Sequence, residues 1–300
     1  MNSSKSRIHQ KDWLWLGALA VLWGGSFFFN DIILKELPPL TLVFLRVALA
    51  ACLLLPLLWI RNIDLPHGLS AWKPLVLVAI FNNVVPFSLI VMGQRFIPSG
   101  LASILNATTP LFTVVVMLVA GEESPEAHRI AGVIAGLIGV VILRGDGDLA
   151  SAQAIGIVLC LAASFSYGVA ALVARRRLSA SPPLQTAACQ LLASSAMMAV
   201  IASAFEQPWR LPIPGPVTWL AVLGLATLST ALAYLVFFQI LRRSGATNVM
   251  LVTLLIPVTA VLLGYLILGE RVSAREIVGS LVIGSALLVI DGRVIRLVRP

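Results

Sequence analysis

The chain has 300 residues, of which 59% are hydrophobic and 11% are charged, and its formal net charge is +8. Soluble domains contain roughly 45 to 50% apolar and about 25% charged residues, so this composition excludes an ordinary soluble protein and indicates a multi-pass membrane protein. The basic residues are scattered between apolar stretches, which argues against a nucleic-acid partner and points to the lipid bilayer instead.

Ten apolar stretches follow one another along the chain. A spanning helix needs about 20 mainly apolar residues to cross a hydrocarbon core of roughly 30 Å, and continuous apolar runs favour helices over a strand barrel. We therefore predict an all-α polytopic protein with ten transmembrane helices, of which the fifth and tenth are short. They cover 13–34, 40–60, 74–94, 99–119, 128–143, 153–174, 183–204, 216–241, 246–268 and 274–290.

The distribution of basic residues predicts the orientation in the membrane. With the N-terminus in the cytoplasm, 14 of the 21 basic residues lie on the inner side and six on the outer side, while Arg46 lies within the second helix. The positive-inside rule then predicts cytoplasmic tails at 1–12 and 293–300. A cleaved signal peptide is the alternative for the first stretch, but its length of about 20 residues exceeds the roughly 7 to 15 of a signal core. A retained helix is favoured.

The second half of the sequence repeats the first. PPLTLVFLR at 38–46 aligns with PPLQTAACQ at 182–190, Trp23-Gly24 aligns with Tyr167-Gly168, and Gly121-Glu122 aligns with Gly269-Glu270. We predict one five-helix repeat over 13–148 and another over 149–292. Because five is odd, the second copy enters the membrane from the opposite side, as in the inverted repeats of many secondary transporters. The alternative is that the repeat only records gene duplication.

Several segments carry a family resemblance: LWGGSFF, LTLVFLRVALAA, SGLASILNATTPLFTVV, GEES and GERVSAREIVGSLVIGSALLVI. Together they resemble the EamA-type branch of the drug/metabolite transporter superfamily, over nearly the whole chain. The resemblance implies an inner-membrane carrier of small metabolites, most similar to exporters of aromatic and other amino acids. One departure is Gln190, which stands where the first repeat has Arg46.

Polar side chains within apolar helices are the predicted substrate contacts, because such groups are costly in hydrocarbon unless they have a role. At 100° per residue they form stripes on helices one, three, four, six, eight and nine, which we predict to surround a cavity. Thr108 faces away from the stripe of its helix. Structural bonding between helices, at about 0.6 kcal/mol per bond, is the alternative. The predicted set is Trp23, Ser26, Phe27, Asn30, Asn82, Ser103, Asn106, Thr109, Ser164, Tyr167, Thr227, Thr230, Tyr234, Met250 and Thr253.

Three prolines are predicted to kink their helices: Pro86, Pro110 and Pro257. Proline has no N–H to donate to the carbonyl four residues earlier. Pro110 thus frees the carbonyl of Asn106, and Pro257 is predicted to free that of Thr253. Matching breaks in two repeats are typical of transporter binding sites.

Missing residue types limit the predicted mechanism. No Asp, Glu or His lies near the centre of a predicted helix, and Arg46, the one charge there, is expected to snorkel or to bond backbone carbonyls. We predict a uniporter that exports solute down its gradient, as a monomer or weak homodimer. Purine or lipophilic-cation export and a channel remain alternatives. An enzyme is not expected because catalytic motifs are missing, and the three cysteines lack metal-ligand spacing, so no metal or cofactor is expected.

Overall fold

The computed structural model describes residues 10–145, 151–244, 249 and 251–291. Within these ranges the long elements are ten helices and there is no strand, which confirms the predicted all-α class. The helices are α1 Gln10–Ile33, α2 Pro39–Ile60, α3 Leu69–Gly93, α4 Ser99–Val119, α5 Ala127–Arg144, α6 Ala152–Arg177, α7 Pro183–Phe205, α8 Pro216–Leu241, α9 Val252–Leu268 and α10 Ala274–Asp291.

Eight of these helices, α1 to α8, are long and apolar enough to cross a membrane. The described part of α9 is shorter, and α10 has charged residues at both ends, including Glu276 and Asp291. The third helix begins at Leu69, earlier than the predicted start at 74. Hydropathy does not register the polar turn around Ser70 and Lys73 that precedes its apolar run.

The main contacts between the two repeats occur in equivalent pairs. Helix α1 packs on α9 as α6 packs on α4, and α1 packs on α8 as α6 packs on α3. The equivalent helices α2 and α7 pack on each other, as do α5 and α10. Exchange of the two repeats therefore maps the packing onto itself, which is the property of a pseudo-two-fold axis.

Equivalent helices run in opposite directions. The side chain of Glu206, just after α7, bonds to Thr41 at the start of α2, while Gln185 near the start of α7 donates to the carbonyl of Asp64 beyond the end of α2. The two copies are thus inverted, as an odd number of helices per repeat requires. We call the end of the bundle at which α1 begins the start side and the opposite end the far side.

Glycines bring the backbones of crossing helices into contact at equivalent positions. A Cβ built on Gly24 of α1 would lie 2.7 Å from Thr259 Cβ of α9, and one on Gly168 of α6 would lie 3.1 Å from the backbone of Phe112 in α4. Sequence alignment of the repeats already equates Gly24 with Gly168, so the same close crossing is built twice from matched residues.

Substitution of Gly168 by valine is expected to destabilise the protein. The added side chain meets the rigid backbone of α4, so overpacking costs about 1 to 3 kcal/mol. Thermal unfolding in detergent measures the loss. Gly284→Val is the matched control, because nothing lies within 4 Å of a Cβ there. Equal melting temperatures for the two variants would show that the α4–α6 crossing tolerates separation.

Candidate functional site

Three helices contain a π-helical turn, and two of these turns occupy equivalent places in the repeats. In α3 a π-helical turn at Ile80–Val84 precedes Pro86, which has no N–H for the carbonyl of Asn82, so the backbone adopts wider spacing. In α8 the equivalent turn at Thr227–Leu232 contains Thr230, whose hydroxyl bonds to the carbonyl of Leu225 at 2.8 Å. A third π-helical turn ends α9. Such turns often lie at functional sites.

Pro110 and Pro257 have different effects on their helices. Helix α4 stops at Asn106 and resumes at Thr109, with Pro110 in the first turn of the new segment. The Asn106 carbonyl then accepts the Thr109 hydroxyl at 2.7 Å. Pro257, by contrast, lies inside the continuous segment Val252–Leu263. The two prolines therefore do not interrupt their helices in the same way, and the kink at Pro257 stays a prediction.

A layer of polar side chains joins the two repeats where α2, α3, α7 and α8 meet. We call it the central cluster. Sequence reasoning assigned no site residue to α2 or α7, because each is apolar over most of its length. The central cluster consists of Arg46, Asn82, Asn83, Phe87, Gln190, Ser194, Thr230 and Tyr234.

Amide groups connect the cluster across the repeats. Asn82 Nδ2 lies 3.1 Å from the Tyr234 hydroxyl and 3.3 Å from Gln190 Oε1. The Tyr234 hydroxyl donates to Asn83 Oδ1 at 3.1 Å, and Asn83 Nδ2 donates to Ser194 Oγ at 3.0 Å. Each of these bonds between α3 and its neighbours links the first repeat to the second. A change in repeat orientation must rearrange them.

Arg46 points into this cluster. Its side chain is only 6% exposed, its Nε donates to Thr230 Oγ1 at 3.0 Å, and its Cζ lies 3.7 Å from the centroid of the Phe87 ring. The expectation that Arg46 snorkels or bonds backbone carbonyls is wrong, because its guanidinium stays within the bundle, against a hydroxyl and an aromatic ring of neighbouring helices. Sequence reasoning left Arg46 out of the site, although it was the one charge away from the ends of the predicted helices.

The equivalent position in the second repeat holds Gln190, which bonds to Asn82. Arg46 and Gln190 therefore make related contacts: each reaches from the second helix of its repeat to the third helix of the other. Asn83 and Ser194 were also missed. Their signal was available, since Asn83 adjoins Asn82 in an apolar helix and Ser194 lies one turn from Gln190.

Three predicted contacts, Asn82, Thr230 and Tyr234, belong to the central cluster, and Tyr167 packs against the buried apolar core. Five predicted hydroxyls instead donate to backbone carbonyls. Four of them use only a carbonyl of their own helix, and Ser164 alone also bonds to a neighbouring helix, as the alternative of bonding between helices predicts. Their acceptors are Trp23 for Ser26, Gly100 for Ser103, Asn106 for Thr109, Leu223 for Thr227, and both Cys160 and Leu105 for Ser164.

The remaining predicted contacts are dispersed. Phe27 is buried in the apolar core, and Asn30 donates to Gln94 Oε1 at 2.8 Å near the far side. Thr253 is half-buried at the start of α9. Met250 lies outside the described residues.

Asn106 differs from the predicted hydroxyl residues of α4, Ser103 and Thr109. Its Oδ1 is buried and has no hydrogen-bond partner within the described part of the chain. A buried acceptor without a donor is uncommon and is best explained by a water or ligand. Thr108 is fully buried as well, but its hydroxyl donates to the Leu105 carbonyl at 2.6 Å.

An aromatic series adjoins the central cluster along α8. Tyr234 stacks on Phe238 with ring centroids 6.1 Å apart, Phe238 contacts Phe237 edge to face at 5.3 Å, and Phe237 lies 5.5 Å from Trp23 of α1. Polar amides, one guanidinium and an aromatic wall thus lie side by side, a combination suited to a solute with a polar head and an apolar side group.

Three glutamates tie the repeats together on the far side. Each carboxylate accepts hydrogen bonds from backbone amides at the start of a helix in the other repeat, where free N–H groups favour an anion. Glu206 accepts from Leu40 and Thr41 (3.0 and 2.6 Å), Glu270 from Ser99 and Gly100 (2.6 and 3.1 Å), and Glu36 from Gly215 (2.6 Å).

On the start side, ion pairs join the repeats instead. Glu122 accepts from Arg176 Nε at 2.6 Å, and Glu123 accepts from Arg175 at 3.4 Å. The hydrogen bond from Arg176 lowers the pKa of Glu122, and the charges of Arg176 and Arg175 act in the same direction against desolvation. Glu122 and Glu270, which the repeat alignment equates, therefore bind different partners on the two sides.

Two inverted repeats with a shared polar cluster at their interface define a membrane transport protein. Residues 11–145 and 154–290 both match the EamA-like transporter family, and the chain belongs to that family.

Relatives extend over nearly the full length. The chain is 29% identical to the uncharacterized inner membrane transporter YedA of Escherichia coli K12, over 87% of this chain and 84% of YedA. It is 27% identical to an uncharacterized transporter of Archaeoglobus fulgidus over 92% and 95%, and 24% identical to the uncharacterized transporter YoaV of Bacillus subtilis over 89% and 93%. A crystal structure with 21% identity superposes with a TM-score of 0.67 over 97% of this chain and 99% of that chain, which supports the fold.

Proposed function

We propose that the protein exports amino acids across the inner (plasma) membrane by alternating access, as a uniporter. The central cluster carries this proposal. It joins both repeats, it offers amides, hydroxyls and one cation, and it adjoins the aromatic series from Tyr234 to Trp23. An amino acid with an aromatic or aliphatic side chain has matching polar and apolar parts.

The contacts at the two ends support alternating access. The side chains of Glu36, Glu206 and Glu270 bridge the repeats on the far side, and Glu122 and Glu123 bridge them on the start side. By the charge distribution, the start side is cytoplasmic. Opening a path to either side requires one set of bridges to separate, whereas the glycine crossings at Gly24 and Gly168 keep the helices of each interface in close contact.

Counterflow into proteoliposomes tests the substrate class. Vesicles loaded with unlabelled solute are assayed for uptake of the labelled form, with L-amino acids, D-amino acids, purines and lipophilic cations compared. We expect saturable uptake of L-amino acids with discrimination against the D-forms. Saturable uptake of purines or cations alone would replace amino acids as the substrate, and unsaturable flux without stereoselectivity would indicate a channel.

A pH gradient alone is expected to drive no net uptake of solute. Among the described residues of the central cluster there is no Asp, Glu or His to carry a proton during the cycle, and arginine does not give up its proton. The measurement imposes a pH jump on proteoliposomes with equal solute on both sides. Concentrative uptake that collapses with a protonophore would contradict uniport.

A further inference from the structure

Arg46 is a buried cation without a counter-ion in the described part of the chain. Burial of a lone charge is costly, and proteins normally compensate it with a carboxylate. Ion pairs in this part of the chain include those of Lys35, Arg129, Arg175 and Arg176, all towards the ends of the bundle. Arg46 instead contacts a neutral hydroxyl and an aromatic ring, so most of its charge is left to be balanced by something else.

The guanidinium also has donors to spare. It carries five N–H groups, of which the one on Nε is used by Thr230. Neither Nη atom donates to a described residue, and the residue keeps 6% of its surface exposed. The guanidinium therefore retains donors that a solute group can use. Two adjacent N–H groups in one plane are the geometry that binds a carboxylate in bidentate fashion.

Neighbouring side chains fix the position of the guanidinium and of its two Nη atoms. The Phe87 ring covers one face of the guanidinium at 3.7 Å, and the bond to Thr230 sets the rotation of its plane. Nearby side chains of the cluster, including Asn82 and Tyr234, are neutral amides and hydroxyls that do not compete for the charge. Gln190, at the equivalent position of the second repeat, has no charge, so the arrangement exists on one side of the pseudo-axis only.

We propose that Arg46 binds the carboxylate of the transported solute, and that the substrates are carboxylate-bearing molecules with an apolar side group. This inference rests on the proposed function, since it assigns the carboxylate of an amino acid to a particular residue. It also supplies the positive group for a zwitterion that the predicted set of neutral contacts lacked. Thr230 and Phe87 are positioning residues for the guanidinium.

Three solutes that share the same aromatic side group distinguish the carboxylate site at Arg46 from the proposed amino-acid export. They are L-phenylalanine, 2-phenylethylamine, which lacks the carboxylate, and phenylpyruvate, which lacks the ammonium group. Binding is measured as ligand-induced thermal stabilisation of the full-length protein in detergent. We expect the two acids to stabilise the wild type and the amine to do so at least tenfold more weakly. Loss of a charged hydrogen-bonding partner corresponds to about tenfold or more in affinity.

Variants at position 46 complete the experiment. Arg46→Gln is expected to bind both acids about tenfold or more weakly than the wild type, and Arg46→Lys, which keeps a point charge without the fork, is expected to be intermediate. Melting temperatures without ligand report folding, and glutamine already occupies the equivalent position 190. Arg95→Gln, which removes an exposed arginine, is expected to bind like the wild type.

The possible outcomes distinguish failure of the carboxylate site from failure of the proposed amino-acid export. Binding of phenylpyruvate but not phenylalanine, with dependence on Arg46, would uphold the carboxylate site and refute amino-acid export. Equal binding of the amine and the amino acid, or unchanged acid binding by Arg46→Gln, would refute the carboxylate site while leaving amino-acid transport standing. A wild type stabilised by neither acid would overturn the inference.

Discussion

Replacement of Asn106 by alanine is expected to lower amino-acid counterflow about tenfold or more without reducing the amount of protein in the membrane. Asn106 presents a buried carbonyl oxygen with no partner in the described part of the chain, at the point where α4 is interrupted. If a solute group donates to this oxygen, its loss costs about 1 to 3 kcal/mol, and 1.4 kcal/mol corresponds to tenfold.

Thr108→Ala is the matched control. Its hydroxyl bonds to the Leu105 carbonyl, which also accepts from Thr108 N and from Ser164 of α6, so two donors remain after the substitution. Transport by this variant is expected to stay within about twofold of the wild type, because a neutral hydrogen bond contributes about 1 kcal/mol at most sites and this one is partly replaced. Equal losses in the two variants would refute a separate role for Asn106.

Neutralisation of the three far-side glutamates is expected to slow export about tenfold. In the variant Glu36→Gln/Glu206→Gln/Glu270→Gln, the amide side chains accept hydrogen bonds more weakly than carboxylates at helix starts. Each change is expected to cost about 0.5 to 1 kcal/mol at these partly exposed positions, and the sum shifts the population away from the far-side-closed state. Initial efflux rates from loaded proteoliposomes measure the effect.

Glu276→Gln is the control for this triple variant. Glu276 also lies on the far side, but its carboxylate accepts from the backbone N–H of Ser273 in its own repeat, at 2.7 Å. A change confined to one repeat should leave the balance between repeats and the efflux rate unaltered. If Glu276→Gln slowed efflux as much as the triple variant, charge on the far side rather than bridging between repeats would be the cause.

Hydropathy and repeat alignment predicted the architecture because both depend on chemistry that is local in sequence. Runs of about 20 apolar residues define the spans whatever their neighbours, and the match of Trp23-Gly24 to Tyr167-Gly168 marks a close crossing that is built twice. Some element boundaries shifted where polar turns extend a helix, as at the start of α3.

The site was less predictable, because helical projection assumes a constant 100° per residue. The π-helical turns at Ile80–Val84 and Thr227–Leu232 and the break after Asn106 rotate every following side chain relative to that projection. Hydroxyls such as Ser26 and Ser103 also have an acceptor in their own helix, so their presence on a stripe does not establish a cavity-facing role.

Two helices that contribute to the central cluster were not assigned to the site. Arg46 is the one charged residue of α2 and Gln190 occupies the equivalent place in α7, and both lie at the interface because these two helices pack on each other across the pseudo-axis. Tertiary packing decides which helices meet at the repeat interface, so the sequence of a single helix does not reveal it. An isolated charge in an apolar helix was the available signal for Arg46.

Alternating access between the inverted repeats is the central claim, and the distance across the far side tests it most directly. Spin labels at Lys35→Cys and Ile213→Cys, both exposed positions in opposite repeats, report this distance by double electron–electron resonance in liposomes. The three native cysteines are replaced by alanine in this variant, because Cys52 is exposed and would also react.

We expect one short-distance population in the unmodified background, a second and longer population in the triple glutamine variant, and a redistribution between them on addition of saturating solute. An unchanged distance distribution in all three conditions, in liposomes that carry out counterflow, would contradict alternating access between the repeats.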